Sequence, residues 1–145
     1  MPTKVKIKRF DKNLPLPKYQ TSGAVAFDLH AREGVKIGAG RIGYVPLNIA
    51  VKPPAGHFFM MAARSSTHKK GLMLANGVGI GDSDYCGDND EYVAAFLNYT
   101  KKAVSIERGD RVAQGMFVKF VKAGLDEVDE MNRKSRGGFG STGHK

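Results

Sequence analysis

Apolar and polar residues alternate in short runs along most of the chain, and no window carries a sustained helical repeat. In the first run, residues 4–10, Val5 and Ile7 alternate with lysines, which predicts an edge strand protected by charge. Further strand-like runs occupy residues 24–31, 34–38, 42–51, 56–62, 91–98, 103–106 and 112–121. Turn residues separate the runs every ~8 to 12 residues, a spacing typical of sandwiches and barrels. We therefore predict an all-β fold with little helix beyond a short turn near residues 111–114.

Residues 74–87 combine four glycines with Asp82, Asp84 and Tyr85, so a tightly turned backbone leads directly into carboxylates and an aromatic ring. Asn76-Gly77 is a strong signal for a two-residue hairpin, because both central positions of a type I′ turn need positive φ. We predict a β-hairpin whose backbone faces a small planar ligand, with Asp82 and Tyr85 just beyond it. An ordinary glycine-rich hairpin explains the same stretch equally well.

The composition is that of one globular domain: 145 residues, 41% apolar and 26% charged. No apolar run approaches the ~20 residues that cross a bilayer, and the first residues lack a secretory apolar region, so we expect a cytoplasmic protein with no membrane partner. Cys86 is the only cysteine, which excludes an intrachain disulfide. The formal charge of +9 favours an anionic partner, and nucleic acid and nucleotide phosphates both qualify.

The composition changes near residue 131, which predicts a core over residues 1–130 and a mobile arm over residues 131–145. The arm contains Gly-Gly-Phe-Gly-Ser-Thr-Gly at 137–143, flanked by Arg133, Lys134 and Arg136. Successive backbone N–H groups and hydroxyls suit phosphates, and a ring can stack on a base. A flexible tail is the simpler explanation of the arm alone.

Arg64, Ser65 and Ser66 follow a strongly apolar run, and an arginine with two hydroxyls at a strand end suits a phosphate or a carboxylate. A solvated turn is the alternative for this segment. The acidic residues after Asp82 do not match a calcium-binding EF-hand loop, and the histidines show no metal-ligand spacing.

Five segments, in number and order, resemble the five motifs of the trimeric dUTPases: residues 26–29, 63–66, 76–85, 108–114 and 137–143. The resemblance implies a jelly-roll-like (β-clip) fold and a homotrimer in which the C-terminal arm of one subunit closes a site formed by the others. It also implies hydrolysis of dUTP to dUMP and pyrophosphate with Mg²⁺, which controls dUTP and supplies dUMP for dTMP synthesis.

The same resemblance assigns roles by position. Asp82 matches the aspartate that activates the water attacking the α-phosphorus, and Tyr85 matches the tyrosine under the deoxyribose, where a 2′-hydroxyl would clash. Asn76, Gly77 and the backbone through Ile80 match the segment that reads uracil. Asp28 resembles the aspartate that holds water on the magnesium, whose inner ligands come from the triphosphate.

Residues that contact phosphate in the family are matched here by Arg64, Ser65, Ser66 and Gln114. In the arm, Phe139 resembles the ring that stacks on uracil, Gly140 continues that motif, and Ser141 and Thr142 match contacts to the γ-phosphate. A basic residue of the arm would add charge near the transition state, and Arg133, Lys134 and Arg136 remain alternatives for it.

One departure concerns Gly81, because the family usually carries Ile or Val before the catalytic aspartate. Loss of that buried side chain predicts lower stability or turnover. The alternative function is therefore a dUTPase-like nucleotide-binding or regulatory protein with weakened catalysis. The related dCTP deaminases fit the short chain and Tyr85 less well, and nucleic acid is not an expected partner because the aromatic and basic residues are not interleaved.

Overall fold

The computed structural model describes residues 3–143, which contain eleven strands and one turn of 3₁₀ helix. The strands are β1 Lys6–Arg9, β2 Phe27–His30, β3 Val35–Ile37, β4 Ile42–Pro46, β5 Ile49–Lys52, β6 His57–Ala63, β7 Leu72–Leu74, β8 Gly79–Gly81, β9 Val93–Asn98, β10 Val104–Ile106 and β11 Arg111–Lys119, with the 3₁₀ turn at Thr67–Lys70. The all-β prediction is confirmed. No helix among these residues is long and apolar enough to span a membrane.

The strands form antiparallel sheets in which neighbours along the chain are often not neighbours in space. The largest sheet has the order β2-β11-β6-β8, and a second has the order β4-β9-β7. Two further pairs, β1-β5 and β10-β3, complete the fold. β1 pairs with β5 only, so the predicted edge strand at residues 4–10 is confirmed.

One hydrophobic core connects the sheets, and Phe59, Phe96 and Leu29 are among its fully buried members. In β9, Ala94, Phe96 and Asn98 point inward while the residues between them point outward, as the two-residue period of a strand requires.

The outward side of the β4-β9-β7 sheet is apolar and is called the outer face below. Its exposed members are Ile42, Tyr44, Met73 and Val93, which are 45–67% exposed. In the register of the sheet, Ile42 lies opposite Leu97 and Tyr44 lies opposite Ala95, so the apolar side chains are contiguous. A charge-free sheet face of this kind is typical of a surface that another protein surface covers.

Two local predictions are wrong. Residues 111–114 begin β11 and do not form a helical turn, because β11 pairs with β2 on one side and β6 on the other. A bulge between Arg111 and Ala113 lets both Val112 and Ala113 reach the core.

The hairpin predicted at Asn76-Gly77 is also absent: β7 pairs with β9, and β8 pairs with β6. The turn instead carries the chain from one sheet to the other. Gly77 adopts a φ of 74°, and the Asn76 side-chain amide donates to the carbonyl of Val78 at 3.0 Å. Gly77 has the predicted positive φ but Asn76 does not, so the turn is not of type I′, and the two strands beside it do not pair.

The last strand ends at Lys119, and the exposed chain beyond it includes Val121 and Leu125, which are 93% and 97% exposed. The division into a core and an arm at residue 131 stays a prediction. Residues 144–145 of the predicted arm lie outside the described residues.

Candidate active site

A pocket of about 350 Å³ opens beside β8 and the loop that follows it. Its walls are Met61, Asn76, Gly79, Ile80, Gly81, Asp82, Tyr85, Glu91, Tyr92 and Val93. Four of the five residues predicted in this segment, Asn76, Ile80, Asp82 and Tyr85, therefore share one cavity. Gly77 lies in the adjoining turn and does not line the cavity.

Pairing of β8 with β6 fixes one side of this pocket, since Gly81 lies opposite the fully buried Phe59. The chain then turns sharply, and the Tyr85 amide donates to the Asp82 carbonyl at 3.0 Å. The Tyr85 hydroxyl donates to the carbonyl of Glu91 at 2.9 Å. Burial, followed by the charges of Asp90 and Glu91, raises the pKa of Tyr85, so the phenol remains a hydrogen-bond donor at neutral pH.

The carboxylate of Glu91 is bound by Arg32, which was not among the residues predicted from the sequence. Arg32 donates to the two carboxylate oxygens of Glu91 from Nε at 2.7 Å and from Nη2 at 2.9 Å, and the backbone amide of Asn48 donates at 2.9 Å. The hydrogen bond to Glu91 raises the pKa of Arg32. The charge of the Glu91 carboxylate, in the pocket wall, is therefore compensated by Arg32.

A second group of polar side chains, called the arginine cluster below, consists of Asp28, Arg64 and Arg111. Arg64 Nε donates to one oxygen of Asp28 and Arg111 Nη1 donates to the other, each at 3.1 Å. Arg64 Nη1 also donates to the carbonyl of Arg111 at 3.0 Å. The three residues meet because β2, β11 and β6 are adjacent strands of one sheet.

Three further residues predicted to contact phosphate lie near the arginine cluster, but their side chains have different surroundings. Ser66 lines a shallow groove together with Arg64, Arg111 and Lys70. Ser65 is exposed and lies outside that groove. Gln114 donates from Nε2 to the carbonyl of Ala63 at 2.9 Å, which fixes the end of β6 before Arg64. Lys70 and Arg111 were not among the predicted site residues: Lys70 lies outside the five motif-like segments, and within residues 108–114 only Gln114 was assigned a role.

The pocket and the arginine cluster lie toward opposite ends of β6. Gly81 is opposite Phe59, whereas Arg64 follows the last residue of β6, Ala63. Met61 is the β6 residue that lines the pocket, and three strand positions at 3.2–3.4 Å each separate it from Arg64 by roughly 10 Å. The two groups share no lining residue.

Residues 131–143 of the arm approach neither group. Phe139 is fully exposed and has a φ of 52°. The hydrogen bonds of Gly137, Ser141 and Gly143 all join residues of the arm to one another. Within a single chain, the predicted contacts of Arg133, Arg136, Phe139, Gly140, Ser141 and Thr142 are therefore not made.

Comparison with known proteins decides the family. A sequence profile of the dUTPase family matches residues 12–143. This chain belongs to the dUTPase family. It is 39% identical to the deoxyuridine 5′-triphosphate nucleotidohydrolase of Lactococcus lactis over 88% of this chain and 87% of that protein. It is 37% identical to the protein of the same name from Helicobacter pylori strain P12, over 97% of each chain.

Solved dUTPases have the same jelly-roll fold. The dUTPase from Streptococcus mutans superposes with a TM-score of 0.76 at 35% identity, over 82% of this chain and 98% of that one. The dUTPase of Staphylococcus bacteriophage 80alpha with dUPNHPP gives a TM-score of 0.87 over 99% of this chain and 100% of that one. At 21% identity, the phage structure supports the fold alone.

The dUTPase family usually carries Ile or Val at position 81. In this chain the space beside Gly81 is already occupied. A Cβ added at Gly81 would lie 2.8 Å from Cζ of Tyr92 and closer still to its hydroxyl. The premise that Gly81 leaves burial unfilled is therefore wrong, because Tyr92 fills that volume. Lower turnover because of Gly81 stays a prediction, but an unfilled buried volume no longer supports it.

The residues present fit a metal ion only indirectly. No group of three or more His, Cys, Asp and Glu side chains that could hold a metal occurs within residues 3–143. Asp28 uses one lone pair of each oxygen for an arginine, which leaves a second on each oxygen to accept a hydrogen bond from water. This dUTPase chain could therefore hold a water molecule on a metal, but the metal's direct ligands would come from elsewhere.

Proposed function

We propose that this protein is a dUTP diphosphatase that converts dUTP and water to dUMP and pyrophosphate, controlling dUTP and supplying dUMP for dTMP synthesis in the cytoplasm. The observation that carries the proposal is the pocket beside β8, where a carboxylate, an aromatic ring and a turned backbone meet in a chain of the dUTPase family. A nucleoside fits a cavity of about 350 Å³.

Asp82 is the catalytic base in this proposal. Its carboxylate accepts a proton from a water molecule as the water oxygen forms a bond to the α-phosphorus. The bond from the α-phosphorus to the bridging oxygen breaks, and pyrophosphate leaves with the electron pair. The position of Asp82 directly after β8 supports this role, because the pairing of β8 with β6 limits the movement of the backbone before it.

Recognition of the nucleoside falls to the remaining pocket residues. The backbone from Asn76 through Gly77 to Ile80 offers amides and carbonyls, which complement the polar edge of uracil. Tyr85 stands against the sugar, so a 2′-hydroxyl is excluded by steric conflict. The hydrogen bond from Tyr85 to Glu91 supports this role, because it fixes the ring in one orientation.

The triphosphate is bound by Arg64, Ser65, Ser66 and Gln114. Guanidinium groups held in place by Asp28 suit phosphate oxygens, since their donors need little reorganisation as charge develops in the transition state. Mg²⁺ bound to the triphosphate oxygens would offset their negative charge, with Asp28 bonded to one of its water molecules.

The active unit is a homotrimer in this proposal. Within one chain, the described part of the arm reaches neither the pocket nor the arginine cluster, which supports sites that combine two or more copies. The apolar outer face provides a surface for that contact. Val93 belongs both to the outer face and to the pocket wall, so a copy seated on this face would adjoin the nucleoside.

The arm completes the site of a neighbouring subunit. Its exposed Phe139 would stack on uracil, followed by Gly140, while Ser141 and Thr142 bind the γ-phosphate and Arg133 or Arg136 adds positive charge. The exposed apolar side chains between the last strand and the arm support exchange between subunits, because burial against a neighbour would remove them from water.

The test is pyrophosphate release from dUTP with Mg²⁺, measured beside dCTP, dTTP and UTP. We expect rapid release from dUTP only. Asp82→Asn is the matched control, because it keeps the shape of the side chain and removes its basicity, and it should abolish release while retaining dUTP binding. A wild-type protein that releases no pyrophosphate, or an Asp82→Asn variant with full activity, would contradict the proposal.

A further inference from the structure

Tyr92 occupies the position in space where the family usually places a branched side chain from residue 81. A Cβ on Gly81 would lie 2.8 and 2.9 Å from two carbon atoms of the Tyr92 ring. Tyr92 itself is 7% exposed, so it fills this volume as a core residue and not as a surface ring. The small residue at position 81 and the aromatic ring at position 92 are therefore complementary in volume.

The backbone of Tyr92 is tied to the core on both sides. Its amide donates to the carbonyl of Ile49 at 3.0 Å, and its carbonyl accepts from the amide of Leu47 at 2.9 Å. Its ring packs edge-on against Phe59, with centroids 4.7 Å apart and an angle of 65° between the rings. Tyr92 therefore has little freedom to move when a ligand enters the pocket.

The opposite side of the same ring meets Tyr85. The two centroids are 5.3 Å apart and the rings lie at 86° to one another. The hydroxyl of Tyr85 is also bonded to the carbonyl of Glu91, which immediately precedes Tyr92. One short segment, Glu91-Tyr92, therefore contacts both the backbone before Asp82 and the side chain of Tyr85.

We propose that Tyr92 is a positioning residue that fixes the proposed catalytic carboxylate and the proposed sugar-contacting ring at the same time. This inference rests on the proposed dUTP hydrolysis. Contact with Gly81 sets the backbone that aims Asp82 at the water molecule, and contact with Tyr85 sets the wall that excludes ribose. A displacement of the Tyr92 ring would alter turnover and sugar selectivity together, as small misplacements in active sites do.

The hydroxyl of Tyr92 is the atom nearest to a Cβ on Gly81, and the neighbouring ring carbons lie next to it. Within residues 3–143, this hydroxyl is buried and has no hydrogen-bond partner. Tyr92→Phe keeps both edge-on contacts but removes the atom nearest to Gly81, so its kcat should fall less than that of Tyr92→Ala while the preference for dUTP over UTP is retained.

The experiment compares the wild type with Tyr92→Phe, Tyr92→Ala, Gly81→Val and the double variant, at a temperature where each is folded. For every protein, kcat and KM are measured with dUTP and kcat/KM with UTP. Ile37→Ala is the matched control, because Ile37 is as buried as Tyr92 and lines no part of the pocket. It should lower the melting temperature without changing kcat or the preference for dUTP.

We expect Tyr92→Ala and Gly81→Val each to lower kcat by about 10- to 100-fold. Tyr92→Ala should also reduce the preference for dUTP over UTP. The double variant should recover most of kcat, because the branched side chain then fills the volume that the ring has left.

Recovery of kcat in the double variant, with a smaller loss in Tyr92→Phe than in Tyr92→Ala and unaltered catalysis in Ile37→Ala, would support the inference. Losses that simply add in the double variant, or full kcat and selectivity in Tyr92→Ala, would overturn the inference while leaving dUTP hydrolysis by the wild type intact. An inactive wild type would instead overturn the proposed function, and the inference with it.

Discussion

Arg64 and Asp28 form a half-buried ion pair at the end of β6, with 3.1 Å between Arg64 Nε and the nearer carboxylate oxygen. The second oxygen of Asp28 accepts from Arg111, so one carboxylate orients two cations. This arrangement presents the guanidinium groups in fixed directions before any phosphate arrives.

Asp28→Asn should impair use of dUTP, because a neutral amide attracts the two arginines less and presents an N–H group to one of them. We expect kcat/KM for dUTP to fall by about 10- to 100-fold. Steady-state kinetics measures this, and Asp126→Asn, an exposed carboxylate far along the chain, controls for the change in net charge. Equal kcat/KM in the two variants would contradict a role for Asp28 in orienting the arginines.

Arg32→Ala should destabilise the fold, since it leaves the carboxylate of Glu91, only 13% exposed, without its two charged hydrogen bonds. The expected loss in the free energy of unfolding is about 1–3 kcal/mol. Glu33→Gln is the control, because it removes the exposed partner of the same arginine and should cost no more than about 0.5 kcal/mol. Denaturant titration measures the free energy of unfolding of both variants. Similar losses in the two would show that Glu91 is not the stabilising partner of Arg32.

Tyr92 should make stability depend on alkaline pH. Burial first, then the neighbouring Tyr85 and Asp82, raises the pKa of Tyr92 from 10.0 to about 12. Between these values the unfolded chain releases the phenol proton and the folded chain retains it, so the contribution of Tyr92 is full below pH 10 and is lost as pH rises toward 12. Tyr92→Phe should flatten the fall in stability over this window.

The measurement is the free energy of unfolding at several alkaline pH values, combined with absorbance titration of the phenols. One phenol that ionises near pH 12 in the wild type should be missing from Tyr92→Phe. If the wild type and Tyr92→Phe lose stability equally as pH rises, groups other than Tyr92 cause the loss.

A variant that ends at Met131 should fold and assemble normally yet hydrolyse dUTP poorly. The arm side chains are exposed, and their hydrogen bonds stay within the arm, so their removal costs the core little. The melting temperature should therefore be retained while kcat/KM falls. Phe139→Ala should reproduce part of the loss, whereas Val25→Ala, at another exposed apolar residue outside the arm, should not. Full activity in the shortened protein would exclude the arm from the site.

The sequence predicted the fold class because two-residue alternation is a local property, and β1 and β9 show it in their burial. It could not predict the partners of β7 and β8, because the Asn76-Gly77 turn has the same local chemistry whether its strands pair together or enter different sheets. Strand pairing depends on which apolar faces meet in the core, and that choice is not local.

The candidate residues of the pocket were found through motif order, whereas Arg32 and Tyr92 were missed. Both act through contacts with residues distant in the chain: Arg32 through Glu91, and Tyr92 through Gly81. One signal was available for Tyr92. A glycine where a branched residue is expected, followed by an aromatic ring in the next strand-like run, indicates an exchange of volume between two positions.

In the proposed homotrimer, the sharing of each site between subunits has a consequence for mixtures of variants. Asp82→Asn and Arg64→Ala should each be inactive as pure proteins, yet a mixed ring that contains both should restore one intact site, where a subunit with Asp82 adjoins one with Arg64. Random exchange at equal amounts should restore about a quarter of the sites. No recovery in mixtures whose exchange is verified by mass would mean that each chain builds its own site. Recovery would make the two defects complement each other, so the unit on which selection acts would be the assembly and not the chain.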